Sequence, residues 1–270
     1  MSRAIVRVAR RVLQPFLSVG DLDLRVTGWR LDALRARHAE ISAIVSLDDS
    51  PGAPNGRLID LATALLPRAK AATLPLLVER GAPPLVHLWP GEHYRLLAGV
   101  VQEVEPETIV EIGTYTGLSA LAMLPMLERG ARLVSVDVVP WHRLPNTYLK
   151  QSDFADGRFC QLVCDLGEPQ TARAHAALLR EADLVFVDAA KDGVLERKLL
   201  TNFAAIGLKP GALIIFDDIR VWRMLDIWRE IAHPKLDATS FGAWSGTGLV
   251  DWAGAASSCA GAGVLRAHWC

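Results

Sequence analysis

The spacing of apolar residues changes near Val86 and divides the chain into two parts. Before that residue, apolar positions recur with the period of a helix in "TGWRLDALRARHAEISAIVSL" and again in "RLIDLATALLPRAKAATLPLLVE". The loop-like "DDSPGAPNG" separates the two patterns. We therefore predict a helical N-terminal extension over residues 1–85.

From Val86 onward, short apolar runs alternate with helical patterns. The predicted strands are "TIVEIG", "ARLVSVDVV", "RFCQLVCDL", "DLVFVDAA" and "KPGALIIFDDI". Near-continuous apolar strands joined by helices are typical of a parallel sheet covered on both faces. The closing pieces "KLDATSFG" and "GTGLVDWAG" are close enough to form a hairpin, which adds an antiparallel strand. The pattern predicts a doubly wound, mostly parallel α/β sheet of about seven strands over residues 86–253, followed by a tail over 254–270.

Composition and charge narrow the classes of partner. Of the 270 residues, 51% are hydrophobic, and the formal net charge of −1 provides no field that attracts nucleic acid. The four cysteines form neither a zinc ribbon nor a disulfide ladder, so we expect a cytoplasmic protein with reduced thiols. We find no signal peptide and no uninterrupted spanning run. A basic helix at the N-terminus leaves membrane contact open without favouring it.

The turn after the first predicted strand combines an acid with two glycines. Its sequence, "EIGTYTG", places Glu111 two residues before Gly113 and spaces Gly113 and Gly117 four residues apart. This differs from the G-x-G-x-x-G turn that cradles a pyrophosphate. An acid here suits a ligand with an ammonium group, and the following helix N-terminus with Ser119 suits a carboxylate.

Asp137 ends the second predicted strand, where an acid can accept hydrogen bonds from both hydroxyls of a ribose. Ligands of open parallel sheets bind beyond the carboxyl ends of the strands, so Asp137 and the glycine turn are expected to face one ligand. A ligand with an ammonium, a carboxylate and a ribose is an amino-acid nucleoside. S-adenosylmethionine fits this description.

These motifs resemble those of the class I S-adenosylmethionine-dependent methyltransferases, whose glycine turn reads acid-x-Gly-x-x-x-Gly. The resemblance covers about Glu92 to Trp252 and implies a Rossmann-like methyltransferase sheet. It also implies that Asp165, at the end of the third strand, meets the adenine amino group; a helix cap or turn aspartate is the alternative. The predicted cofactor site comprises Glu111, Gly113, Tyr115, Gly117, Ser119, Asp137, Asp165 and Asp188.

Two further predicted strands end in acids. "LVFVDAAKDG" places Asp188 at the end of the fourth strand, and "LIIFDDIRVW" places Asp217 and Asp218 at the end of the fifth. The ends of neighbouring parallel strands lie side by side, where three carboxylates repel one another unless a cation lies among them. Oxygen ligands favour a hard divalent ion, Mg²⁺ first, with Ca²⁺ or Mn²⁺ as alternatives. In the other interpretation the pair only caps the next helix and the site is metal-free.

The acids narrow the resemblance to cation-dependent O-methyltransferases of the catechol and caffeoyl-CoA type. Those enzymes hold a metal with an aspartate after strand four and an Asp-Asn pair after strand five. The Asp217-Asp218 pair is closer to the macrocin-type sugar O-methyltransferases. Lys191, three residues after Asp188, matches the spacing of the catalytic lysine of the catechol enzymes. A solvated lysine paired with Asp192 is the alternative.

We therefore expect an S-adenosylmethionine-dependent O-methyltransferase that uses a divalent cation. The cation lowers the pKa of a substrate hydroxyl, and Lys191 takes its proton. The acceptor is a small molecule with neighbouring oxygens, such as a glycosyl group or a secondary metabolite, and a homodimer contact is left open. His142 is a weaker candidate base, His93 and Tyr94 are candidate contacts to cofactor or substrate, and Trp244 is placed to stack on a substrate ring.

Three other functions are weighed against this one. A metal-independent class I methyltransferase would use the same cofactor turn and leave the acids as structural groups. A nicotinamide-dependent oxidoreductase shares the sheet, but the missing G-x-G-x-x-G turn argues against it. A protein that binds the cofactor without catalysis has no need of the acids at both strand ends.

Overall fold

A computed structural model of the protein describes residues 56–221 and 223–253, all within one compact unit, Ala43–Cys270. The sequence patterns of the first 55 residues, the tail over 254–270 and Trp222 lie outside the described residues. The described chain forms one seven-stranded sheet. Its strands are β1 (Thr108–Ile112), β2 (Arg132–Asp137), β3 (Phe159–Val163), β4 (Leu184–Val187), β5 (Leu213–Asp217), β6 (Lys235–Asp237) and β7 (Thr247–Asp251).

Helices connect the strands and precede the first one. They are α1 (Gly56–Ala71), α2 (Pro75–Glu79), α3 (Tyr94–Val104), α4 (Leu118–Met123), α5 (Pro169–Ala174), α6 (Ala176–Glu181), α7 (Leu195–Ile206) and α8 (Met224–Glu230). The helical segment between β3 and β4 is divided in two, because His175 leaves the helical conformation between α5 and α6.

The strand order is β3-β2-β1-β4-β5-β7-β6, and the predicted doubly wound sheet is confirmed. Strands β1 to β5 run parallel to one another, whereas β7 is antiparallel to both β5 and β6. The antiparallel strand expected from the closing hairpin is therefore present. The chain leaves β1 in one direction toward β3 and returns to β4 on the other side, so the switch in strand order lies between β1 and β4. Ligands bind beside such a switch point, at the carboxyl ends of the strands.

Buried side chains pack on both faces of the sheet. One cluster joins α1, α2, α3 and α4 to one face, and the other joins α5 to α8 to the opposite face. Successive residues of β1 point to opposite faces of the sheet, so that Ile109 packs in the first cluster and Val110 in the second. Burial on both faces explains why these strands read as continuous apolar runs.

Within the described residues, the segment Gly56–Glu79 is long and apolar enough by composition to cross a membrane. The structure divides this segment into α1 and α2. Leu58, Leu65 and Leu77 are buried in the same cluster as the sheet. Packing in the core accounts for part of this apolar character, since 33% of the most apolar window of the segment is buried.

Candidate active site

The glycine turn after β1 brings the backbone against the end of β4. Gly113 has a φ of +107°, and a Cβ atom at this position would lie 1.9 Å from the carbonyl oxygen of Asp188. Gly117 has a φ of +83° at the start of α4, where a Cβ would overlap the side chain of Leu149. Both positions therefore require glycine, for conformation and for space. This close approach places the turn beside Asp188.

Asp137 at the end of β2 fixes the same turn. Its Oδ2 accepts hydrogen bonds of 3.0 Å from the backbone N–H groups of both Thr114 and Tyr115, and its Oδ1 accepts one of 2.9 Å from Val139. The carboxylate thus holds the turn at the switch point. The Tyr115 side chain is 65% exposed at its rim. The ribose role of Asp137 and the cofactor role of Tyr115 stay predictions.

Glu111 is completely buried in β1, beneath the turn. Its carboxyl oxygens accept hydrogen bonds from the hydroxyls of Ser119 and Ser135, each at 2.5 Å. Burial raises the pKa of Glu111 to about 7, against the lowering effect of the two serine hydrogen bonds. Ser119, which we predicted to face the cofactor carboxylate, is thus engaged with Glu111. Farther along the edge, Asp165 Oδ1 accepts a 2.7 Å hydrogen bond from Gly167 N–H.

The predicted metal ligands and the predicted base converge beyond the ends of β4 and β5. The Lys191 ammonium lies 2.8 Å from Asp188 Oδ1 and 3.8 Å from Asp217 Oδ2, and it contacts Asp218 Oδ2. Lys191 is therefore a partly buried lysine among three carboxylates. Asp192 instead accepts hydrogen bonds from the backbone N–H groups at the start of α7.

Backbone strain and a second buried acid hold Lys191 in place. Lys191 and Asp218 have φ values of +58° and +60°, a left-handed conformation that costs non-glycine residues about 1–3 kcal/mol and clusters at functional sites. The buried Glu196 of α7 accepts hydrogen bonds from the N–H groups of Lys191, at 2.7 Å, and Gly193, at 2.9 Å. Sequence reasoning missed Glu196, whose only signal is an acid in the first turn of the helix after the loop.

His93 is the other residue of this cluster that the sequence did not assign to it. It directly precedes α3, and its Nδ1 lies 3.3 Å from Asp217 Oδ1. One ligand atom from each of His93, Asp188 and Asp217 lies within 4.8 Å of the other two. The sequence offered His93 only as a contact to cofactor or substrate, because nothing local in "PGEHYRLL" shows that it meets strand ends far along the chain.

The charges of the cluster shift one another's pKa values. Burial lowers the pKa of His93, but Asp217, Asp188 and Glu92 outweigh it and raise the value to about 9. Burial likewise lowers the pKa of Lys191, yet the carboxylates of Asp188 and Asp218 raise it well above the usual lysine value. Burial and the charge of Asp217 raise the pKa of Asp188. The carboxylates thus stabilise the positive charges of Lys191 and His93, and the site favours cationic groups.

The aromatic residues near the site differ in exposure. Trp141 stacks on Phe154 with ring centroids 5.1 Å apart, which is a packing role. His142 is exposed in the turn after β2 and is not part of the acid cluster. Trp244 is 70% exposed, and its backbone N–H donates a 2.9 Å hydrogen bond to the carbonyl oxygen of Gly91, next to Glu92. An exposed indole therefore lies beside the acid cluster.

Comparison with known proteins gives a family match over this part of the chain. Residues 110–219 match a family model described as a methyltransferase domain. Catechol O-methyltransferase B of Danio rerio is 29% identical over 126 residues, covering 46% of this chain and 47% of the relative. Catechol O-methyltransferase of Sus scrofa is 30% identical over 127 residues, covering 44% of this chain and 64% of the relative. The chain thus spans about half to two thirds of the length of these curated relatives.

Two solved structures show a looser likeness. A putative O-methyltransferase from Klebsiella pneumoniae is 21% identical with a TM-score of 0.45, covering 74% of this chain and 96% of that one. The O-methyltransferase TomG from Streptomyces achromogenes, solved in complex with SAM, is 18% identical with a TM-score of 0.40, covering 73% and 96%. The strand order given above follows from the strand pairing of this chain and does not depend on these two structures. The segment over residues 110–219, which contains the glycine turn at the switch point, therefore matches a methyltransferase domain.

Proposed function

We propose that the protein transfers the methyl group of S-adenosylmethionine to a hydroxyl of a small molecule that bears a neighbouring oxygen, with a divalent cation bound at the acid cluster. The observation that carries this proposal is the meeting of Lys191 with Asp188, Asp217 and Asp218 beside the glycine turn. The catechol O-methyltransferase relatives support an oxygen acceptor. A glycosyl group or a secondary metabolite with vicinal oxygens is the acceptor class we favour.

The donors of the cluster fit a divalent cation. Asp217 Oδ1 is buried without a hydrogen-bond partner among the described residues, and two aspartates and a histidine bring their ligand atoms within 4.8 Å of one another. Carboxylate oxygens suit Mg²⁺, Ca²⁺ and Mn²⁺. Asp188, Asp217 and Asp218 would hold the ion, which when bound lowers the pKa of a coordinated hydroxyl.

The glycine turn would hold the methyl donor at the switch point. S-adenosylmethionine, when bound, supplies an electrophilic methyl group. In this proposal Glu111, Gly113, Gly117 and Ser119 would shape the floor of its site, and Asp137, Tyr115 and Asp165 would form the edge. Displacement at the methyl carbon needs little from the protein beyond placing donor and acceptor in line.

Lys191 would take the proton of the acceptor hydroxyl. With three carboxylates around it, Lys191 keeps its own proton, because they raise its pKa. Neutralising those carboxylates removes the interactions that raise the pKa and leaves burial, which lowers it. The charge of the acid cluster therefore controls the pKa of Lys191, and with it the ability of Lys191 to accept a proton.

The first experiment is isothermal titration of S-adenosylmethionine and S-adenosylhomocysteine into the metal-stripped protein, followed by methyl transfer to a panel of vicinal diols with Mg²⁺, Ca²⁺ or Mn²⁺. Lys191→Met should reduce the rate by about 10²- to 10⁴-fold, the usual contribution of a general base, with unchanged affinity for S-adenosylhomocysteine. Lys198→Met is the matched control. Lys198 lies on α7 and forms an exposed ion pair with Glu168. Absence of cofactor binding, or full activity in Lys191→Met, would contradict the proposal.

A metal-independent methyltransferase is the second candidate. One observation favours it, namely that the Lys191 ammonium already lies among the carboxylates and neutralises part of their charge. In that case activity would survive a strong chelator and would not respond to added ions. Loss of activity in chelator and recovery with one ion favour the metal-dependent function.

A further inference from the structure

We infer that His93 is a ligand of the bound cation, so that the site combines an imidazole nitrogen with aspartate oxygens and prefers Mn²⁺, Co²⁺ or Zn²⁺ to Mg²⁺. This inference rests on the proposed metal dependence and specifies its ligand set. It also changes the order of metals expected from the acids alone, where Mg²⁺ stood first.

The distances suit shared coordination. The ligand atoms of His93, Asp188 and Asp217 all lie within 4.8 Å of one another, and His93 Nδ1 is 3.3 Å from Asp217 Oδ1. Ligands that bind one ion at about 2.0–2.2 Å lie roughly 3–4 Å apart. Lys191 approaches the other oxygen of Asp217, Oδ2, at 3.8 Å. The lysine and the imidazole therefore meet different oxygens of this carboxylate.

The closest contact, between His93 Nδ1 and Asp217 Oδ1, is an ion pair that lacks the geometry of a hydrogen bond. The His93 side chain is 7% exposed, and neither ring nitrogen makes a well-formed hydrogen bond within the described residues. Asp217 Oδ1 is in the same condition. A buried polar group left unsatisfied costs about 1–3 kcal/mol. One cation between the imidazole and the carboxylate would satisfy both atoms.

The imidazole is held firmly by its surroundings. Its ring centroid lies 4.3 Å from that of Tyr94 and 5.5 Å from that of Phe186, which belongs to β4. The carbonyl oxygen of His93 accepts a 2.8 Å hydrogen bond from Leu97 in the first turn of α3. A ligand fixed by packing and by the helix loses little freedom when a metal binds.

The mixed donor set decides which ions are preferred. Sites built only from carboxylates and water suit Mg²⁺ and Ca²⁺, whereas an imidazole nitrogen favours first-row transition ions. Mg²⁺ also gives up its water ligands reluctantly. A nitrogen ligand in this buried position therefore moves the preference away from Mg²⁺.

The direct test is pulsed electron paramagnetic resonance on the metal-stripped full-length protein loaded with Mn²⁺. We expect ¹⁴N coupling to the bound Mn²⁺ in the wild type, its loss in His93→Gln, and its retention in His142→Gln, where the exposed histidine serves as the control. Bound Mn²⁺ without ¹⁴N coupling overturns this inference and leaves the proposed function standing. If no Mn²⁺ binds, both are overturned. If His93→Gln fails to fold, absence of ¹⁴N coupling in the wild type still overturns the inference, and coupling that is retained in His142→Gln still supports it.

Ion selectivity provides a second readout that a purely structural role would not change. By titration calorimetry, His93→Gln should weaken Co²⁺ binding by at least the roughly 10- to 100-fold that loss of a supporting partner costs a metal site. Its effect on Mg²⁺ binding should be much smaller. An equal loss for Co²⁺ and Mg²⁺ means that His93 only supports the fold and overturns the inference.

Discussion

At the scale of single residues, burial has the largest effect on the pKa of Glu111. The side chain is fully buried, and hydroxyl groups, not cations, donate to both of its oxygens. Burial raises its pKa from 4.5 to about 7. A carboxyl group in this state keeps its proton in the folded protein at a pH where the unfolded chain has lost it.

The pH dependence of stability follows from that difference. Between pH 4.5 and about 7 the unfolded chain binds fewer protons at Glu111 than the folded chain does, so the free energy of unfolding falls as the pH rises through this window. Glu111→Gln removes the titration. We expect the variant to gain on the order of 3 kcal/mol relative to the wild type between pH 4 and pH 8, measured by urea unfolding.

The control for this prediction is Glu128→Gln, which changes an exposed glutamate after α4. Its stability should follow that of the wild type across the same pH range. A constant difference between Glu111→Gln and the wild type at all pH values would show that Glu111 titrates normally.

At the scale of secondary-structure elements, Gly113 sets the distance between β1 and β4. The turn passes so close to the end of β4 that a Cβ would lie 1.9 Å from the Asp188 carbonyl oxygen. The two strands pair through their full overlap, from Ile109 with Leu184 to Ile112 with Val187. A side chain at Gly113 must therefore displace one strand end, together with the acid that it carries.

Gly113→Ala should lower the free energy of unfolding by more than about 4 kcal/mol, since backbone strain adds to an overlap that flexible atoms cannot relieve. Gly130→Ala is the matched control, because Gly130 has a φ of +94° but nothing within 4 Å of an added Cβ. The free energy of unfolding of this control should fall only by the cost of the backbone strain, about 1–2 kcal/mol. Equal losses in urea unfolding would mean that the close approach of turn and strand is unimportant for stability.

At the scale of the whole molecule, the helices before the sheet complete its core. Leu58 and Leu65 of α1 and Leu77 of α2 are at most 1% exposed and pack in the cluster that covers one face of the sheet. The residues described before Val86 are thus part of the packed unit. Whether residues 1–85 behave as a separate extension stays a prediction.

Two truncations test this relation. Removing Met1–Ser42 leaves the compact unit Ala43–Cys270, and we expect cooperative thermal unfolding and cofactor binding to persist. Removing residues 1–85 deletes four leucines that are buried in the described part of the chain, each worth about 2–5 kcal/mol in a core, against a total stability of about 5–15 kcal/mol. That truncation should lose cooperative unfolding by circular dichroism. Cooperative unfolding of the shorter chain would show that the sheet folds without α1 and α2.

The sequence by itself determined the class of fold, the segments that form the strands of the sheet, and most of the residues that line the candidate site. Strand and helix periods are local properties, so alternation along the chain was enough to predict five parallel strands and a closing hairpin. The acids at Asp137, Asp188 and Asp217 were recognisable because each directly follows an apolar strand. The need for glycine at Gly113 and Gly117 was visible in the same way, since a strand-to-helix turn of that length bends sharply.

The tertiary structure alone decided which of these residues meet. β7 pairs between β5 and β6, His93 lies against Asp217, and Glu196 holds the loop of Lys191, because contacts across a sheet join segments that are distant in sequence. Burial also changed the state of residues already identified, as in the raised pKa of Glu111. Solvation and charge at a site are sums over neighbours in space, and a one-dimensional pattern does not contain them.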